Sequence, residues 1–197
     1  MNSKSIRSIS VALGALLALG CGGRYGRSYF APAANLQNIA VVAVLPFENL
    51  TDHPNAGDIV AGQVASELFA INRYKVMDAQ TAIKLYAEAG GQAAPAPDRV
   101  WAQEVGSKIR ADAVIYGSVQ EYAYRLDKNR SGPREPAVAI TLRMVDSASG
   151  TILWAASESS SSDAVLIQDR DPISRVALAI VRRLRNNLSE HLSRQDQ

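Results

Sequence analysis

The stretch from Ile39 to Phe47, IAVVAVLPF, contains no polar residue and is rich in valine. It is too short for a buried helix and is stopped at Pro46, so it reads as a strand buried on both faces. Asn49 to Asn55, NLTDHPN, follows as a loop of turn residues. Gly57 to Ile71 then places Val60, Val64, Leu68 and Ile71 on one stripe, the spacing of a helix with one buried face. This helix covers the first strand. Arg73 to Met77 reads as a short second strand. Asp78 is placed to cap a helix that buries Ala82, Ile83, Tyr86 and Ala89 and stops at Gly90-Gly91. After the loop QAAPAP, Asp98 caps a further helix in which Trp101, Val105 and Ile109 repeat every fourth residue.

The second half changes period. Ala113 to Arg125 alternates, with Tyr116, Ser118, Gln120, Tyr122 and Tyr124 on one face and Ile115, Gly117, Val119, Glu121 and Ala123 on the other. Leu126 to Pro136 is an exposed polar connection. Val138 to Val145 alternates again, turning Val138, Ile140, Leu142 and Met144 inward, and the turn Asp146 to Gly150 leads into Thr151 to Ala156 to close a hairpin. Ser157 to Ser162 is almost pure serine and reads as a polar break. Asp171 and Pro172 open the last helix as cap and first-turn proline. Its apolar face runs from Ile173 through Val176, Ala177, Ile180, Val181 and Leu184 to Leu188, with Arg175, Arg182, Arg183 and Arg185 off that stripe. The arginines read as a solvated face, with acidic lipid or an acidic partner as the alternative.

Ahead of all this stands the sole cysteine, Cys21. Lys4 and Arg7 precede an apolar run from Ile9 to Leu19, and Gly20-Cys21 closes it. Spanning about 30 Å of hydrocarbon takes roughly 20 apolar residues, so this run is a secretory signal and not a membrane span. The run Ala18-Leu19-Gly20-Cys21 resembles the lipobox of bacterial lipoproteins, with Ala18 where leucine is usual. Residues 1–20 are then a signal peptide, and Cys21 is the lipidated first residue. Lipidation also explains an unpaired cysteine in an oxidising compartment. Without Lys4 and Arg7 the 21 basic residues fall to 19, matching the 19 acidic ones. A neutral mature chain gives no ground for a nucleic-acid partner. Residues 21–38, glycine-rich and without period, read as a tether of at most roughly 65 Å; its Arg24, Arg27, Tyr25, Tyr29 and Phe30 are types that favour lipid headgroups. Residues 39–192 form one α/β domain, and 193–197 a disordered tail.

Catalytic signals are lacking. The chain has His53 and His191 as its only histidines, and it carries no Cys-x-x-Cys, His-Glu-x-x-His, Gly-x-Ser-x-Gly or phosphate-binding glycine loop. Neither a metal nor a cofactor is expected, and no residue is assigned a catalytic role. His53, in a loop beside Asp52, reads as a turn residue.

Four stretches carry a family resemblance: IAVVAVLPFENLTD at 39–52, GDIVAGQVASELFAINRYKVMD at 57–78, IRADAVIYGSVQEY at 109–122 and MVDSASGTILWAAS at 144–157. Together they resemble the CsgG and LpoB superfamily of bacterial outer-membrane lipoproteins, whose fold is similar to the TolB amino-terminal domain. The resemblance implies an α/β sandwich of two or three layers, with a mixed β-sheet flanked by helices. It implies a non-catalytic lipoprotein that faces the periplasm and serves an envelope assembly, in secretion or peptidoglycan-synthase regulation, by protein contact. Gly22 after Cys21 resembles the outer-membrane sorting pattern of enteric bacteria. Candidate contact residues are Phe47, Asn49 and His53 after the first strand, and Tyr122, Tyr124 and Arg125 at the end of the long one, since Tyr and Arg are enriched at binding hot spots. The membrane, through Cys21, and an envelope protein are the expected partners. The alternatives are a homo-oligomer, as a ring-forming subunit of a CsgG-like channel, and a small-ligand-binding module. The short polar connections leave no room for the long hairpins a channel barrel needs.

Overall fold

The computed structural model describes residues 25–32, 34, 36–92, 97–125, 135–161 and 172–196. Strand β1 (Tyr25–Phe30) and a 3-10 turn (Leu36–Asn38) lead to β2 (Val41–Val44), β3 (Glu48–Asn49) and helix α1 (Ala56–Phe69). Next come β4 (Lys75–Met77), α2 (Ala79–Glu88), α3 (Arg99–Ile109), β5 (Ala113–Arg125), β6 (Glu135–Asp146), β7 (Ile152–Ser161) and α4 (Ile173–Gln195). One mixed sheet runs in the order β1-β7-β6-β5-β2-β4, with β3 pairing on β5 beyond the end of β2. Strand β2 is parallel to β4 and β5, whereas β5, β6, β7 and β1 pair antiparallel.

The all-apolar run seen in the sequence dictates the layers. Val42 and Val44 point into a core shared with Val60, Val64 and Leu68 of α1 and Ile180 and Leu184 of α4. Ala43 and Leu45, alternating with them, enter a second core with Ala82 and Tyr86 of α2 and Ala102 and Val105 of α3. This half of the sheet is therefore covered on both faces. The caps form as the sequence predicts: Asp78 Oδ1 accepts the Thr81 N–H at 2.9 Å, and Asp98 Oδ1 accepts that of Trp101 at 2.7 Å. Gly90, at φ 73, ends α2 in the left-handed conformation that favours glycine.

Five expectations need correction. The strict alternation of β5 breaks at a bulge between Val119 and Glu121. One extra residue, Gln120, moves every later side chain to the opposite face, so Tyr122 joins Ile115 and Val119 in the larger core and no longer shares a face with Tyr116. The serine-rich break is strand: β7 reaches Ser161, with Ser157 opposite Thr141 and Ser159 opposite Ala139. Ladder hydrogen bonds on both sides supply there the order that composition does not.

Within the tether, Tyr25–Phe30 is corrected to a strand. All six residues of Tyr25–Phe30 pair with β7. Phe30 stacks on Trp154 (6.0 Å between ring centroids) and on His191 of α4 (3.8 Å). Gly26 leaves room for Glu158, whose carboxylate lies 2.1 Å from where a Cβ would stand. Nor is the C-terminus a disordered tail from 193. Helix α4 continues to Gln195, Gln195 Nε2 donates to the Ala34 carbonyl at 2.7 Å, and Asp196 pairs with Arg73 at 3.1 Å. Pro172 occupies the N-cap position without a side-chain cap, instead of the first helical turn. The Ile173 N–H donates to the Tyr124 hydroxyl at 3.1 Å. Asp171 lies outside the described residues.

Candidate functional site

The six candidate contact residues do converge, but they divide into core, brace and surface. Phe47 is core: its ring packs over Gly117, where a Cβ would stand 2.7 Å from Phe47 and 2.2 Å from the Thr141 carbonyl oxygen. Asn49 organises the loop after β3. Its Nδ2 donates to the His53 carbonyl at 2.8 Å, and its Oδ1 accepts from the Thr51 N–H at 3.1 Å and the Thr51 hydroxyl at 2.8 Å. His53 Nδ1 donates to the Pro54 carbonyl at 2.9 Å, and its ring leans on Tyr122, 4.6 Å between centroids. Tyr122 is buried, and burial, then the neighbouring Tyr124, pushes its phenol pKa up.

Of the six, Asn49, Tyr124 and Arg125 are exposed, and Asn49 spends its side-chain amide on its own loop. Tyr124 is 47% exposed and accepts the Ile173 N–H, while Arg125 grips Glu121 through both Nε and Nη2, the latter 2.6 Å from Oε2. Leu50, 57% exposed, shares this region, its N–H bonded to the Val119 carbonyl at 3.0 Å. The sequence reading missed Leu50 because one leucine among turn residues carries no period. Cys21 lies outside the described residues.

Three of the α4 arginines pair with acids of the body. Arg182 Nε and Arg185 Nη2 reach Glu67 of α1 at 3.0 and 3.3 Å, and Arg183 Nε reaches Glu158 of β7 at 3.3 Å. Both acids are buried. The signal for this was present in Glu67, set between the stripe residues Val64 and Leu68, where a solvated acid is out of place. His191, stacked on Phe30, has its pKa lowered by burial and then by Arg194.

At the other end of the sheet an open cleft of about 690 Å³ lies between the chain at Ala31–Ile39, the end of α3 and the β6–β7 turn. Its acids are occupied by the backbone. Asp112 Oδ2 accepts the N–H groups of Ala40 and Val41 at 2.9 and 2.8 Å, so the alanine-aspartate start of β5 ties down the start of β2. Asp146 Oδ1 accepts the Ser149 N–H at 2.6 Å. Among the described residues no three His, Cys, Asp or Glu side chains are grouped to hold a metal ion, and no helix is long and apolar enough to cross a membrane.

A mixed-sheet α/β domain is the class these features define. The family of GNA1162-like lipoproteins matches residues 34–194, and the chain belongs to it. Among solved structures, the PelC dodecamer from Paraburkholderia phytofirmans is similar at 21% identity, covering 82% of this chain and 94% of that one, with a TM-score of 0.58. Lipoprotein GNA1162 from Neisseria meningitidis is similar at 21% identity over 77% of this chain and 99% of that one, TM-score 0.51. LpoB from E. coli is similar at 16% identity over 62% and 57%, TM-score 0.43. The first two likenesses are of fold. A search of curated proteins gives no match.

Proposed function

We propose that this protein is a lipoprotein of the bacterial outer membrane, acylated at Cys21 after loss of residues 1–20, facing the periplasm. It works without catalysis, as an accessory or scaffold in an envelope assembly. The observation that carries this reading is membership, across residues 34–194, in a family of lipoproteins, joined to a sole cysteine placed just ahead of the first strand. Contact falls to the exposed Leu50, Tyr124 and Arg125. Asn49 and His53 brace the loop, and Phe47 and Tyr122 form its floor.

One observation favours a second reading: PelC, a fold neighbour, is a dodecamer. A homo-oligomeric ring is therefore the rival. The lipidated chain, extracted from membranes in mild detergent and measured by light scattering, separates the two. A monomer or dimer supports the accessory role and directs the search to crosslinked partners. A particle of many protomers supports the ring and removes the simple accessory.

A further inference from the structure

The register of β1 fixes how the domain meets its membrane. Tyr25 pairs with Ser159, Ser159 with Ala139, and Ala139 with Glu121. Strand β1 thus begins level with Glu121, four residues short of Arg125, where β5 ends. Cys21 precedes Tyr25 by the same four residues. Four extended residues span at most about 14 Å, and four residues of strand cover about 13 Å. A fully stretched leader therefore carries Cys21 no further than the level at which β5 ends and β6 begins. The start of β1 cannot swing free of the body, because Asn187 of α4 donates to Ser28 at 3.4 Å and Phe30 is held between Trp154 and His191.

We infer that the sheet stands on the bilayer through the end that carries Tyr124, Arg125 and Glu135, and that the occupant of this end is the lipid headgroup layer. The inference rests on acylation of Cys21. Acyl chains on that residue must enter hydrocarbon, so the headgroups have to come up to the end of β5. Tyrosine and arginine are residue types that favour this depth, Tyr124 with its half-exposed ring and Arg125 as an exposed cation paired with Glu121. The 13 residues of β5, at about 3.3 Å each, put the opposite end roughly 40 Å away. That end, with Asp112, the Asp146–Thr151 turn and the cleft, points into the periplasm. A partner reached through Leu50 and Tyr124 must accordingly sit at the membrane surface.

The test uses the full lipidated chain in vesicles of phosphatidylethanolamine and phosphatidylglycerol containing a lipid with a nitroxide headgroup. Because the acyl group occupies the native thiol, an introduced cysteine is the unique site for a fluorophore. Arg125→Cys and Glu135→Cys report the proposed contact end independently of each other, Ala148→Cys the opposite end, and Lys84→Cys the outer side of α2. Quenching several-fold stronger at 125 and 135 than at 148 and 84 supports the orientation. Equal quenching at all sites, or stronger quenching at 148 or 84, overturns it. A chain that fails to float with vesicles, and whose Cys21 has the mass of a free thiol, overturns the anchor reading itself before any quenching is measured.

Discussion

The sheet has two unlike halves. In β4, β2 and the first residues of β5, helices cover both faces and the strands are apolar on both sides. From the bulge in β5 across β6, β7 and β1, α4 covers one face, while on the other Arg143 and Ser157 are exposed and Thr141, Ala155 and Ser159 half-buried. Even the covered face changes character along the way, from Leu142, Met144 and Trp154 to the ion pair of Glu158 with Arg183. The first half is held by apolar burial, which has no direction. The second buries one face, from Val138 to Trp154, against α4 and adds ladder pairing and a few charged contacts, which hold only in one register.

The largest expected effect marks that contrast. Leu45→Ala empties a fully buried site in the doubly covered half and should cost about 3 kcal/mol. Thr141→Ala on the open face, where the hydroxyl only bonds Ser157 at 3.2 Å, should stay within about 0.5 kcal/mol. Urea unfolding of both variants checks the pair, and equal costs would erase the distinction. Next comes Glu67→Gln, which leaves Arg182 and Arg185 facing a neutral amide. Because Arg182 is largely exposed and Arg185 partly so, solvent screens part of the loss, and about 1–2 kcal/mol is expected. Adding Arg185→Met should recover some of it, by removing the buried Nε that has no partner of its own.

The same division explains what could be read from the chain. The doubly covered half announces itself: an apolar run, helix stripes at Val60, Val64 and Leu68, and caps at Asp78 and Asp98 are all local signals, and all of them formed. The other half is ordered by neighbours distant in sequence. Nothing within GGRYGRSYF says strand, because the evidence for β1 is the hydrogen-bonding edge of β7 and the space beneath Gly26. Nor does Gln120 announce a bulge, since an alternating pattern reads equally well on either side of it. The candidate site fared in proportion. Its members were found as a neighbourhood, but Tyr122 was placed on the surface because the shift of face at Gln120 was not visible, and Phe47, read as a contact, ends the apolar run buried on both faces.

Gly26→Ala tests the weaker half directly. The new methyl meets the Glu158 carboxylate, which can move only by loosening its contact with Arg183. A cost of about 1 kcal/mol is expected. It should fall on β1: amide exchange at residues 27–30 should quicken while β2 and the first residues of β5 stay protected. Uniform loss of protection across the sheet would mean that the two halves unfold as one.

The smallest effect is expected where the half-covered sheet meets its single helix. Tyr124→Phe removes the acceptor of the Ile173 N–H, and Pro172 offers no side-chain cap in its place. An ordinary hydrogen bond contributes about 0.5–1.5 kcal/mol. Tyr124 is half exposed, so water can replace the hydroxyl and the cost should lie near about 0.5 kcal/mol. Such a change hardly moves a denaturation midpoint. It should instead raise amide exchange in the first turn of α4, near Ile173 and Ser174, and leave the stretch from Ile180 to Leu188 unchanged, since that part is buried against the larger core. If exchange in the first turn does not rise, the helix start is fixed by packing of Ile173 alone, and the tyrosine is free to serve wholly at the surface.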